Sequence, residues 1–162
     1  GATDCLREDD TMTLNPTKAA QQLLAILAVL VLGAQLALAN PAHKVAIHVD
    51  ENDPRVMNMA LNNAKNIATY YAAKGEEVTI ELVTYGPGLH MLRSDTSPVA
   101  DRISAMALEM TNISFSACEN TINGMKKKSQ KDVPLLSEAT VVPSGAVRLM
   151  ELQAEGYAYL RP

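Results

Sequence analysis

From residue 44 onward the chain switches repeatedly between short runs with a two-residue hydrophobic alternation and longer runs with a three-to-four-residue repeat. Lys44 to Asp50 (KVAIHVD) is short and rich in β-branched residues, which predicts a strand. Asp53-Pro54 then supplies a helix cap followed by proline at the first helical position. Through Lys74 apolar residues recur at Val56, Ala60, Ile67 and Tyr71, and again at Met57, Leu61, Ala64 and Ala68, until Gly75 ends the helix. Glu77 to Tyr85 sets Val78, Ile80 and Leu82 against Thr79 and Glu81 as a second strand, which Gly86-Pro87-Gly88 breaks.

Ser97-Pro98 opens a further helix with Val99, Ile103, Met106 and Ala107 on one face. Ile113 to Ala117 reads as a third strand ending at Cys118, followed by a helix from about Asn120 to Lys127 and a loop through Pro134. Ala139 to Val142 is a fourth strand, Ser144 to Ala154 a helix closed by Gly156, and Tyr157 to Leu160 a fifth strand. Strands alternating with helices predict βαβ units. Near-fixed crossover handedness then places helices on both faces of the sheet. The expected fold is a three-layer α/β/α domain on a mainly parallel five-stranded sheet, occupying residues 40–162.

Residues 1–39 read differently, as a leader with a hydrophobic signal segment at about 19–39. Leu23 to Ala39 carries no charge and only Gln35 as a polar side chain, with Lys18 ahead of it and Ala37-Leu38-Ala39 at its end. A positive flank, an apolar run and a small-x-small ending are the parts of a secretory signal peptide. Asn40-Pro41 follows, so cleavage after Ala39 is expected, with a periplasmic mature chain beginning at Asn40. The alternative is a membrane anchor formed by an uncleaved segment 19–39, since the run reaches the lower limit for spanning a bilayer. Glu8, Asp9 and Asp10 do not suit the start of an export signal, so Met12 is the expected beginning of translation. Cys5, upstream of it, is assigned no role. A lipoprotein would need cysteine directly after the cleavage site, where Asn40 stands.

Composition narrows the function. The net charge is −4 and the only basic run, Lys126 to Lys128, suits a helix end, so no nucleic-acid partner is expected. Tryptophan is absent and aromatic residues are few, which removes stacking platforms for bases. The mature chain retains one cysteine and cannot form an internal disulfide, so it relies on its core.

Ligands of open parallel sheets bind at the carboxyl ends of strands. Those ends are Asp50 to Asp53, Gly86 to His90, Cys118 to Thr121 and Pro143 to Gly145. Cys118 precedes a helix, whose positive end and free N–H groups favour thiolate and thereby nucleophilicity. The alternative is a strand-end cysteine packed as a small hydrophobe. His43, His48 and His90 have no metal-site spacing, and no C-x-x-C is present, so neither metal nor cofactor is expected. His48, mid-strand, reads as a core histidine with its polar atoms satisfied. His90 can approach Cys118 as base or donor, or remain a solvated loop residue. Gly86-x-Gly88 is too short for a dinucleotide fingerprint, and there is neither a nucleophile elbow nor a Walker loop. Asn58, Asn62 and Asn66 form a stripe at i, i+4 spacing, either solvated or part of a polar subunit interface. Asp50, Glu51 and Asp53 resemble paired carboxylates, although capping accounts for Asp53.

Taken together, Ile47 to Ile67, Tyr85 to Leu92 (YGPGLHML), Phe115 to Thr121 (FSACENT) and Val141 to Pro162 resemble the DsrE/DsrF-like family, which includes YchN-like proteins. The resemblance spans essentially the whole mature chain in order. It implies a three-layer domain that assembles into trimers or hexamers, and a relay of sulfane sulfur as a cysteine persulfide. Cys118 matches the family cysteine in the A-C-x-N-T stretch and is the implied carrier. By their place at the strand ends, Glu119, Asn120 and Thr121 would shape its pocket, with His90, Gly86 and Gly88 beside them. A protein that donates or accepts sulfur is the implied partner. The competing expectation is a non-enzymatic oligomeric binding module in which Cys118 is structural.

Overall fold

A computed structural model describes residues 43–162. The leader, its signal segment at 19–39, cleavage after Ala39, and Met12 and Cys5 lie outside the described residues. Within them no helix is long and apolar enough to cross a membrane.

Five strands are present, β1 (His43–Val49), β2 (Val78–Thr84), β3 (Ile113–Cys118), β4 (Ala139–Val142) and β5 (Ala158–Leu160). All pair in parallel, in the order β4-β3-β2-β1-β5. Between them run α1 (Pro54–Ala73), α2 (Ala100–Glu109), α3 (Glu119–Ser129) and α4 (Gly145–Ala154). The expected α/β/α architecture is therefore present.

Side-chain alternation divides the sheet into two unlike faces. Ile47, Val49, Ile80, Leu82, Phe115 and Ala117 point to one side, where they join Met57, Leu61, Leu89, Leu92 and Ile103 in the main core. That core receives α1, α2 and the apolar flank of α3 (Ile122, Met125). On the opposite face Ala46 and Val83 meet only Leu149 and Leu152 of α4, with Tyr85 and Tyr157 at the margin. The asymmetry follows from connectivity. The first three crossovers step one way along the sheet, whereas α4 carries the chain back from β4 at one edge to β5 at the other. With handedness fixed, the returning helix must occupy the other face.

Several local expectations are refined. The Gly86-Pro87-Gly88 break is the start of a 3₁₀ helix, Gly86–Leu92. Gly88 is required there by space: a Cβ at this position would stand 2.1 Å from the Val49 carbonyl oxygen. The helix after β3 begins at Glu119, immediately after Cys118. Asp53 caps α1, its carboxylate accepting from the Arg55 N–H at 2.8 Å. Asn58 and Asn62 are not simply solvated, because both carbonyl oxygens accept from the Arg102 guanidinium of α2, Asn62 at 2.8 Å. Glu81, expected on a polar strand face, is buried at 6% exposure.

Candidate functional site

Cys118 is the last residue of β3 and the N-cap of α3. In register beside it lies Val142, the last residue of β4, from which the chain turns through Pro143 and Ser144 into α4. β3 delivers its helix to the crowded face of the sheet and β4 delivers its helix to the other. Adjacent strands whose connections diverge in this way open a crevice at their carboxyl ends. Cys118 occupies that crevice, with the first turns of two helices directed at it.

The second helix comes close because residue 145 is glycine. A Cβ there would lie 2.9 Å from Tyr85 Cδ1 and 3.3 Å from Cys118 Cβ. Its absence lets the start of α4 pack against both side chains. The backbone amides of Gly145 from α4 and of Asn120 and Thr121 from α3, together with the Thr121 hydroxyl, favour the ionised form of the sulfur. Burial pushes the thiol pKa up, but these hydrogen bonds outweigh it and the thiol is held below its ordinary value. Thr121 is itself oriented: its Oγ1 accepts the Gly86 N–H at 2.9 Å, which leaves the hydroxyl proton free to turn toward the sulfur. The thiol is only 4% exposed.

The other predicted residues distribute around this centre. Gly86 reaches it through Thr121, and Gly88 seats the 3₁₀ helix against the end of β1. Asn120 contributes its backbone amide, whereas Glu119 is exposed in the first turn of α3. His90 is turned to Thr96, its Nδ1 lying 2.8 Å from that hydroxyl. It lines a groove of about 800 Å³ with Gly86, Thr121, Arg93 and Lys128. A second groove, about 490 Å³, runs between α4 and the polar strip Ser114, Ser116 and Thr140 as far as Val142 and Ser144.

Beside the thiol, the Tyr85 ring lies tilted against His48 with ring centroids 4.5 Å apart. His48 is buried, its Nδ1 2.8 Å from the Tyr159 hydroxyl. Among the described residues its Nε2 has no hydrogen-bond partner and stands 3.9 Å from Asp50 Oδ2, so it is only half satisfied. Burial lowers the His48 pKa, against the opposing pull of Asp50. Asp50 is paired with Arg161 at 3.0 Å, as is Glu51 at 3.1 Å, so neither carboxylate faces the sulfur as a free base. Among the described residues no three His, Cys, Asp or Glu side chains converge as a metal site.

Two contributors were not predicted. Gly145 lay within a flagged strand end, but only the return of α4 across the sheet gives it a role. The Glu81–Arg148 pair joins residues 67 positions apart and has no local signature.

The model of the DsrE/DsrF-like family matches residues 43–162. No curated protein matches the sequence. Among solved structures, a protein of unknown function from Methanobacterium thermoautotrophicum is 32% identical, with a TM-score of 0.63. The match covers 74% of this chain and 99% of that one.

Proposed function

This chain belongs to the DsrE/DsrF-like family, and from that premise we propose that it carries sulfane sulfur on Cys118. The observation that supports the reading is the convergence of two helix starts on one sulfur, with donors that favour its ionised form. The thiolate attacks the outer sulfur of a persulfide donor, R–S–SH. A Cys118–sulfur bond forms, the donor's S–S bond breaks, and R–S⁻ leaves, so no net oxidation or reduction occurs. In the onward step an acceptor thiolate takes the outer sulfur and Cys118 departs as thiolate. A lowered thiol pKa assists this step because it makes Cys118 the better leaving group.

Incubation with a sulfane-sulfur donor followed by mass spectrometry tests the proposal. Native protein is expected to gain one sulfur atom at Cys118, and Cys118→Ser none. Equal behaviour of the two would end the carrier reading.

The reading extends to an exported homo-oligomer, a trimer or hexamer, whose partner is a protein that supplies or accepts sulfur. A monomeric mass in solution would remove the assembly, and recovery with residues 19–39 attached to membranes would replace export by anchoring.

The 4% exposure of Cys118 favours one other reading, an oligomeric binding module whose cysteine is packing. It requires slow thiol labelling in the folded state with a midpoint at or above about 8.5, the unperturbed value.

A further inference from the structure

The apolar contact beneath the body of α4 is narrow. Leu149 and Leu152 rest on Ala46 and Val83, while the neighbouring strip of sheet beneath the helix is polar, with Ser114, Ser116 and Thr140. Into this strip the first turn of α4 sends Arg148. Its Nε donates to Glu81 Oε1 and its Nη2 to Glu81 Oε2, both at 2.8 Å, a two-pronged contact. Ser116 Oγ donates to the same Oε1 at 2.6 Å. Glu151 and Glu155 lie at 3.7 Å from Arg148 Nη1 and complete its surroundings.

This ion pair is partly buried, Glu81 within and Arg148 a quarter exposed, and such a pair is a weak source of stability because desolvation offsets much of the attraction. Its directional bonds do fix register where packing leaves it loose. Here the acid belongs to β2, the serine stands two residues before Cys118 on β3, and the arginine lies three residues after Gly145.

We propose that Arg148, through Glu81 and Ser116, is a positioning residue for the thiol: it pins the start of α4 so that the Gly145 amide is presented to Cys118. The inference rests on the reading of Cys118 as the reactive group. Its test measures ionisation of the sulfur and not sulfur transfer, so either can fail while the other stands.

The experiment follows thiolate ultraviolet absorbance against pH in the full chain carrying Cys5→Ser, alongside thermal unfolding. Three versions are compared: unaltered at 81 and 148, Arg148→Lys, and the double variant Glu81→Leu/Arg148→Leu, which leaves no buried charge unpaired. The double variant is expected to remain folded, with its titration midpoint moved upward and roughly two- to three-fold less thiolate on the rising limb, the size of a lost helix-end interaction. Arg148→Lys, which keeps the charge and loses the fork, is expected to fall between. An unchanged midpoint in a folded double variant overturns the proposal. So does a double variant that cannot fold, since the pair would then be a folding element first.

Discussion

At position 118 a hydroxyl would meet the same amides as the thiol, so Cys118→Ser separates the chemistry of sulfur from the packing of the side chain. The variant is expected to melt within a few degrees of the native protein while losing sulfur uptake altogether. Thr121 is a finer probe. Thr121→Val removes the hydroxyl that serves both the sulfur and the Gly86 amide. The thiol midpoint is expected to rise, and stability to fall by about 1–3 kcal/mol because a partly buried N–H loses its acceptor. Thr121→Ser keeps the hydroxyl and is expected to restore the midpoint, which a titration of labelling rate reads directly. Gly145→Ala acts from the other side. Its methyl group would stand 2.9 Å from the Tyr85 ring, and relieving that contact moves the α4 amide away from the sulfur. Its midpoint is expected to rise as well.

For the elements, the helix starts carry the site, and each is secured differently. Ser144 caps α4 by accepting from the Val147 N–H at 3.4 Å. Ser144→Ala is expected to cost about 1 kcal/mol in denaturant unfolding and to loosen the turn that holds Gly145. Gly88→Ala forces the 3₁₀ helix off the end of β1, at a cost on the order of 1–3 kcal/mol for overpacking. Most of this level was legible beforehand, because alternation and helical repeat are local. Cys118 stood out for the same reason, as a thiol between a predicted strand and a helix start. What stayed hidden was non-local. Glu81 reads as a solvated residue on alternation alone, and only a helix arriving from 67 positions later turns its side of β2 inward. The 3₁₀ helix was missed because Gly-Pro-Gly signals a turn without saying how the chain continues. His90 follows that turn closely enough to look like a neighbour of the sulfur, yet the 3₁₀ geometry directs it to Thr96.

Across the whole molecule, acid weakens the fold in two stages. Burial holds the His48 pKa below 6.5 in the native state. The unfolded chain takes up that proton near pH 6.5 and the native chain only lower, so stability falls as pH drops through this window. Glu81 follows below pH 4.5. Burial pushes its pKa up, but Arg148 and Ser116 overcome this and hold it below the ordinary value. Its contribution is complete above 4.5 and is lost as pH falls toward the native value. Melting temperature against pH is expected to decline gently below 6.5 and more steeply below 4.5. His48→Gln would flatten the first stage, and Glu81→Gln would lessen the second, in which Asp53, Asp95, Asp132 and Glu138 also share.

Because the start of α4 both favours the ionised sulfur and packs against the Cys118 side chain, activation and access oppose each other. Motion that lifts this helix uncovers Cys118 and strips away a donor in the same event. A slender reagent that slips beneath the seated helix meets the more ionised sulfur, whereas a bulky one meets it only after that advantage is gone. Labelling by small and large thiol reagents is therefore expected to follow different pH curves, the larger reagent titrating at the higher midpoint.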